Sequence, residues 1–416
     1  MNVIVKNSWP VIFRAAVILG LWLMPLWFFS PGESAEIDVK PGDTIGPHNW
    51  EKVRGMVGEN LLARIRQGYT FKIKQSTTIY KPLKEFVDAT DKYSGQVKLG
   101  PNGELLNYVA GLPFPKIDPK DPQAGLKLAW NFYWRWLGDD SKTGGGTSEE
   151  RIIRDVIEKD GSERRADIIQ HYIKTRSRVT LDPKPVIPGY EHIDWMQLRV
   201  DEYPRDTSGT TTLEIRYADP KRTDDLYTYV PSIRRVRRNP PIQRCATLAP
   251  SEFNFDDINN FNGRVTDFNY KFLGERKMLG NFSPKQLPPH RKKGDYLPLD
   301  EEWEVREAYV LEITPKDPDY CYPKKILYID KFVFEAFWDV VLDKVGNLWK
   351  EQFSSLTPVK LSDGRVAESV GTVFIVNLQN GRSTVLTAVR AYNRGYQPSL
   401  FTLATLQQVI RGGSIR

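Results

Sequence analysis

Side chains able to do acid–base, nucleophilic or metal chemistry are few and scattered in this 416-residue chain. The four histidines are His48, His171, His192 and His290. None has a partner at metal-ligand spacing unless His192 and Asp194 act together from a strand. A lone histidine beside a carboxylate is more often a surface pair than a site. Asp256 and Asp257 are adjacent, so on a strand they would point to opposite faces and share no proton. No G-x-S-x-G nucleophile elbow and no dinucleotide fingerprint occur. The glycine-rich stretch 143–147 lacks the Lys-Ser/Thr pair of a phosphate loop and reads as a flexible connection. The chemistry-bearing residues thus recommend no catalytic site, no metal site and no cofactor, and a hydrolase with a dispersed site is the weakest reading.

Binding chemistry is better represented. Trp130, Phe132, Tyr133, Trp134 and Trp136 fill five of seven consecutive positions. At 100° per residue they would wrap much of a helix, more than one packed core easily buries. Such a helix suits a lid, with one face on the protein and another on a hydrophobic ligand. The plainer reading is a helix buried on several sides of a large core. A second cluster, Arg234, Arg235, Arg237 and Arg238, lies in YTYVPSIRRVRRNPP at 227–241. On a strand, Arg235 and Arg237 would share one face and Arg234 and Arg238 the other. Salt bridges to nearby acidic residues are the favoured reading, and contact with lipid headgroups or a partner is the alternative. Cys245 and Cys321 are the only two cysteines. In an oxidising compartment they either form one disulfide or remain two buried thiols, which spacing alone does not decide.

The elements that must hold these residues are mostly strands. Val53, Met56, Val57, Leu61, Leu62 and Ile65 predict a short amphipathic helix. Pro122 and Gln123 mark the start of the aromatic helix, AGLKLAWNFYWRWLG. From residue 164 onward strand signals dominate, with clean alternation at 212–217 and strands at 309–314, 325–330, 333–342 and 372–378. Asn380-Gly381 predicts a hairpin, and 344–347 another turn. A last helix presents Leu400, Leu403, Leu406 and Ile410 on one face and ends at Gly412. With no βαβ alternation and no internal repeat, the expected fold is mainly β with a few helices (α+β): a large, curved antiparallel sheet with helices packed on one side.

The first residues indicate where this fold works. Lys6 and Arg14 precede an uncharged apolar run at 15–29, and small residues follow at Ser34 and Ala35. That is the layout of a cleavable signal peptide, with the cut expected after Ala35; an uncleaved anchor is the alternative. No cysteine stands near the junction, so the expected product, 36–416, is not a lipoprotein. It is expected to form a single domain with a helical and extended section at about 36–145. The whole chain carries a net charge of +7, and the leader removes one positive charge. So mild an excess favours weak attraction to anionic lipid surfaces and gives no case for nucleic acid.

Six ordered blocks add a resemblance. They are NYVAGLPFP (107–115), DPQAGLKLAWN (121–131), YTYVPSIRRVRR (227–238), FDDINNFNGRVTDFNYKFLGERKM (255–278), KKILYIDK (324–331) and GNLWK (346–350). Together they resemble the periplasmic proteins of domain-of-unknown-function family 1329. The resemblance implies a fold similar to the Lol-type lipoprotein carrier, an open half-barrel with helices on its concave side. It further implies work beside an RND-type exporter and an outer-membrane protein, with a lipid or other hydrophobic molecule as cargo. No catalytic residues come with it. A non-carrying envelope adaptor, its interior filled by its own side chains, is the competing expectation.

Overall fold

Alternating sequence becomes strand almost throughout the structure, a computed structural model that describes residues 39–76, 81–143, 152–240, 244–248 and 251–409. The expected leader, the glycines of 143–147 and the helix end at Gly412 lie outside the described residues. The N-terminal section holds β1 (Thr44–Ile45), α1 (Glu59–Arg66), β2 (Phe71–Ile73) and α2 (Lys84–Tyr93). A small hairpin, β3 (Lys98–Leu99) and β4 (Leu105–Leu106), and helix α3 (Ala124–Trp134) follow. Then come β5 (Asp140–Thr143), β6 (Ile152–Ile157), β7 (Glu163–Lys174), β8 (Ile193–Tyr203), β9 (Thr211–Tyr217), β10 (Asp225–Val230) and β11 (Arg235–Arg238). After a long connection run β12 (Phe268–Gly280), β13 (Glu302–Pro315), β14 (Lys324–Asp330), β15 (Ala336–Leu342) and β16 (Leu348–Lys360). The chain ends with β17 (Val366–Asn377), β18 (Ser383–Ala388), β19 (Arg390–Tyr392) and α4 (Leu403–Val409).

Two antiparallel meanders make one sheet. β7 to β11 pair in sequence, as do β12 to β18. Their junction is β6, which lies between β18 and β7, extended by β5 between β19 and β7. β2 joins β13 in parallel and β1 closes onto β2. Among the described residues β11 and β12 do not pair with each other, so the sheet is not closed into a barrel. No helix among these residues is long and apolar enough to cross a membrane.

The period of two assigns each strand's side chains to opposite faces. Trp338, Phe353 and Phe374 point one way and, with Trp303, pack against Leu61 and Ile65 of α1. Leu327 and Ile329 point the other way and pack against Leu128 and Phe132 of α3. At the far meander Ile173, Met196 and Leu213 meet Leu406 of α4, while Tyr172 and Lys174 face the α3 side. So α1 and α4 cover one face and α3 the other. The connection between β11 and β12, hereafter the strap, also crosses the α3 face.

Local differences from the sequence reading have physical causes. The first helix is shorter than its apolar spacing predicts: Val53 ends a 3-10 turn, and Gly55, at φ +78°, separates it from α1. Helix α2 is additional; Phe86, Ala89 and Tyr93 carried its helical spacing, obscured by the charges among them. Asp256 and Asp257 sit on a 3-10 turn capped by Asn254, not on a strand. The last helix buries a narrower face than expected, because Leu403 is 43% exposed while Leu406 is fully buried. The Asn380-Gly381 hairpin forms, with the Gly381 N–H donating to Asn377 O at 2.8 Å.

Candidate functional site

Helix α3 is fixed at both ends. Asp121 accepts from the Gln123 N–H before the first turn, at 2.8 Å. At the last turn the Arg135 guanidinium makes a two-pronged bond to the Glu335 carboxylate, at 2.7 and 2.9 Å, both side chains buried. Gly125 is required between them: a Cβ there would stand 2.8 Å from Tyr270 O on β12. That contact lets the helix lie directly on the sheet.

The five aromatics separate. Trp130 is half-buried at the rim and donates its indole N–H to Gly103 O at 2.8 Å. Phe132 is buried among Leu311, Leu327 and Ile329. Tyr133 donates to the Asp194 carboxylate at 2.9 Å, and burial raises its hydroxyl well above the ordinary tyrosine range. Trp134 packs against Tyr108, ring centres 4.8 Å apart, but its buried indole N–H has no acceptor among the described residues. Trp136 lies beyond the helix end and packs on Tyr392 in a separate cluster with Leu83 and Phe86.

Two small cavities flank Tyr133. One, of about 10 Å³, is apolar and lined by Phe132, Tyr133, Phe261, Tyr270, Leu311 and Leu327 among others. The other, of about 40 Å³, is lined by Tyr133, Trp134, Lys174, Trp195, Gln197 and Asn262 among others. At roughly 10–15 Å³ per water, the larger admits a few water molecules and no acyl chain. Phe132, Tyr133 and Trp134 therefore line the cavities, whereas Trp130 and Trp136 do not.

The strap over the same face is charged. Arg244 bonds Glu214 at 2.6 Å and Asp256 at 2.5 Å, and Arg216 and Arg264 converge on Asp224 at 2.8 and 2.6 Å. Asp257 accepts from Lys325 at 2.9 Å and Tyr322 at 2.7 Å. Asp339 stands 3.3 Å from the same ammonium; burial pushes its carboxyl up to about 6, against the lowering effect of Lys325. Asp257 is held below its ordinary value by Lys325 and Lys350, which outweigh its burial. Cys245 and Cys321 are bonded, Cα atoms 5.6 Å apart, fastening the strap beside β14. This network was missed in the sequence because its members lie far apart along the chain; FDDINN, a dense polar run inside an apolar region, was the available signal.

The arginine cluster lies elsewhere. Arg234, at φ +51°, makes the turn into edge strand β11. All four side chains are exposed. Arg238 pairs with Asp225 at 2.6 Å; Arg234, Arg235 and Arg237 have no ion pair among the described residues. His192 is exposed, and Asp194 is buried with Arg176 at 2.9 Å and Tyr133. Among the described residues no three of His, Cys, Asp and Glu group to hold a metal ion.

An open, mainly antiparallel sheet with an aromatic helix and a charged strap on one face defines the structural class: a lipoprotein-sorting-like β fold. The chain belongs to the DUF1329 family, described as "Protein of unknown function", which matches residues 44–407. Its fold is similar to that of a proposed outer membrane lipoprotein-sorting protein domain from Vibrio parahaemolyticus, with a TM-score of 0.50 and 18% identity over 69% of this chain and 100% of the other. It is equally similar to a DUF1329 family protein from Desulfovibrio piger, with a TM-score of 0.50 and 20% identity over 69% and 100%. A LolA superfamily protein from Nitrosomonas europaea aligns more loosely, with a TM-score of 0.39 and 15% identity over 65% and 93%. A search of curated proteins finds no match.

Proposed function

We propose that this protein binds a lipid or other hydrophobic molecule and ferries it across the periplasm, without catalysis. The observation that carries the reading is the arrangement under α3: three of its aromatics line an apolar and a polar cavity side by side on one face of an open sheet. The lipoprotein-sorting description of a fold relative supports it. The cavities are closed down in this conformation, so loading requires α3 to part from the strap and the sheet. Burial of a chain there would contribute about 25 cal/mol per Å² before ordering costs are subtracted. Export with cleavage near Ala35, and delivery alongside an RND-type exporter and an outer-membrane protein, complete the proposal; they rest on the leader-like sequence and the family resemblance.

The small cavity volumes favour a second reading, an envelope adaptor whose interior is filled by its own side chains. Native mass spectrometry of gently purified protein separates the two. Retained lipid, released by organic extraction, is the expected result. A bare mass across several preparations, with no uptake of added lipid, would leave the adaptor.

A further inference from the structure

The larger cavity has a chemistry that a filled core would not retain. Lys174, at the end of β7, is 3% exposed. Its ammonium has neither a hydrogen bond nor an ion pair among the described residues. The carboxylate acting on it, Asp139, accepts from the backbone N–H groups of Val179, Thr180 and Leu181 at 2.6–3.0 Å. Trp134, also 3% exposed, lines the same cavity, and its buried indole N–H has no acceptor among the described residues. Gln197, directly across from Tyr172 on β8, adds a carboxamide to the lining. Lys174 thus brings a charge to the wall of this cavity with no carboxylate bonded to its ammonium among the described residues. Beyond Tyr133 and Phe261, which line both cavities, the surroundings turn apolar.

We infer that the polar cavity is the headgroup site for a carboxylate amphiphile, with Lys174 and Trp134 as its donors and the chain passing Tyr133 and Phe261 into the apolar cavity. The inference rests on the carrier reading and specifies its cargo as fatty-acid-like. One ammonium and one neutral donor match a singly charged carboxylate, and the room for a few waters matches its size. Burial pulls the Lys174 ammonium down to about 8, so it still carries its charge at neutral pH. The charged groups acting on it are Asp139, Arg135 and Arg178; Tyr133 and Tyr172, raised by burial, stay protonated.

The test titrates decanoate, decanol and acetate into the full exported protein, followed by tryptophan fluorescence and calorimetry. Decanoate is expected to bind at least about tenfold more tightly than decanol, the effect of one charged hydrogen bond. Lys174→Met should erase that preference and leave decanol unchanged. On the unaltered protein, decanoate affinity should fall severalfold between pH 7 and 9 as Lys174 deprotonates, again with decanol unchanged, which needs no variant to fold. Equal binding of decanoate and decanol, or an indifferent Lys174→Met, overturns the headgroup site and leaves the carrier standing. Acetate binding as tightly as decanoate would make this a small-anion site and overturn the amphiphile. Failure of both ten-carbon probes to bind overturns the inference together with the carrier reading.

Discussion

On the face under α1, Phe353 stacks on Phe374 with ring centres 4.5 Å apart and meets Trp303 and Trp338 at 5.3 and 5.1 Å. On the face under the strap, β14, β15 and β16 present Lys325, Asp339, Lys350 and Gln352, all buried. One face is closed by apolar contact, and the other adds charge pairing under the strap to the apolar contacts of α3. Apolar packing is tolerant of direction and carries stability. Buried ion pairs roughly break even against their desolvation and depend on every partner being in place. The difference teaches where the molecule can open: separating α1 would expose a large continuous apolar core, whereas lifting the strap and α3 would expose a smaller apolar cluster and return charges to water. The cavities lie on the second face.

The largest effect should fall on the apolar face. Phe353→Ala removes a fully surrounded ring and should cost about 3–5 kcal/mol, read from the midpoint of urea unfolding. A loss under about 1 kcal/mol would mean that this face is not the stabilising one. Replacing both cysteines with serine (Cys245→Ser with Cys321→Ser) should cost about 2–4 kcal/mol globally. Its more telling readout is limited proteolysis: cleavage within 244–262 should accelerate while the α1 face stays protected. Uniform acceleration across the chain would erase the contrast between the faces.

A pH series sharpens the comparison with a smaller effect. Asp339, with Lys325 and Asp257 beside it, has its carboxyl raised to about 6 from an unfolded value near 3.8. As pH rises, the unfolded chain releases this proton first, so the stability from this group is present below about pH 4 and lost by about pH 6. Asp339→Asn should flatten that part of the stability curve, measured by denaturant unfolding at each pH. An unchanged slope would show that Lys325 keeps the carboxylate charged, and the strap face would then be an ordinary set of satisfied pairs.

The strands that build both faces were legible because alternation and turn residues are local: 212–217, 372–378 and Asn380-Gly381 stand where their pattern put them. The aromatic helix was equally legible from Pro122 onward, ending at Trp134. What each aromatic does was not. The aromatic run reads as one helix that includes Trp136, yet the helix has ended before it, and its partner Tyr392 lies 256 positions away. Lys174 showed no signal at all, since a lysine that ends a strand ordinarily reaches solvent. Its burial depends on α3 and the strap arriving from opposite directions along the chain. Asp256 and Asp257 were noticed, but an assumed strand hid the turn that sends one to Arg244 and the other to Lys325.

The smallest effect on stability, and the clearest on function, belongs to a region outside both faces. Strand β11 pairs only with β10 among the described residues, leaving one edge open, and exposed arginines on such an edge discourage pairing with another chain. Arg238 is tied to Asp225, so Arg235 and Arg237 are the ones free to meet an anionic surface. Replacing both with glutamate should leave the melting temperature unchanged, because neither has an ion pair to lose among the described residues. Sedimentation with vesicles containing anionic phospholipid should show binding reduced severalfold, with the reduction vanishing at high salt as screening removes the attraction from both proteins. If vesicle binding is unchanged while the variant stays monomeric, the cluster has no membrane role. If binding is unchanged and self-association appears, the arginines guard the edge, and the charges that matter to cargo are those buried beneath α3.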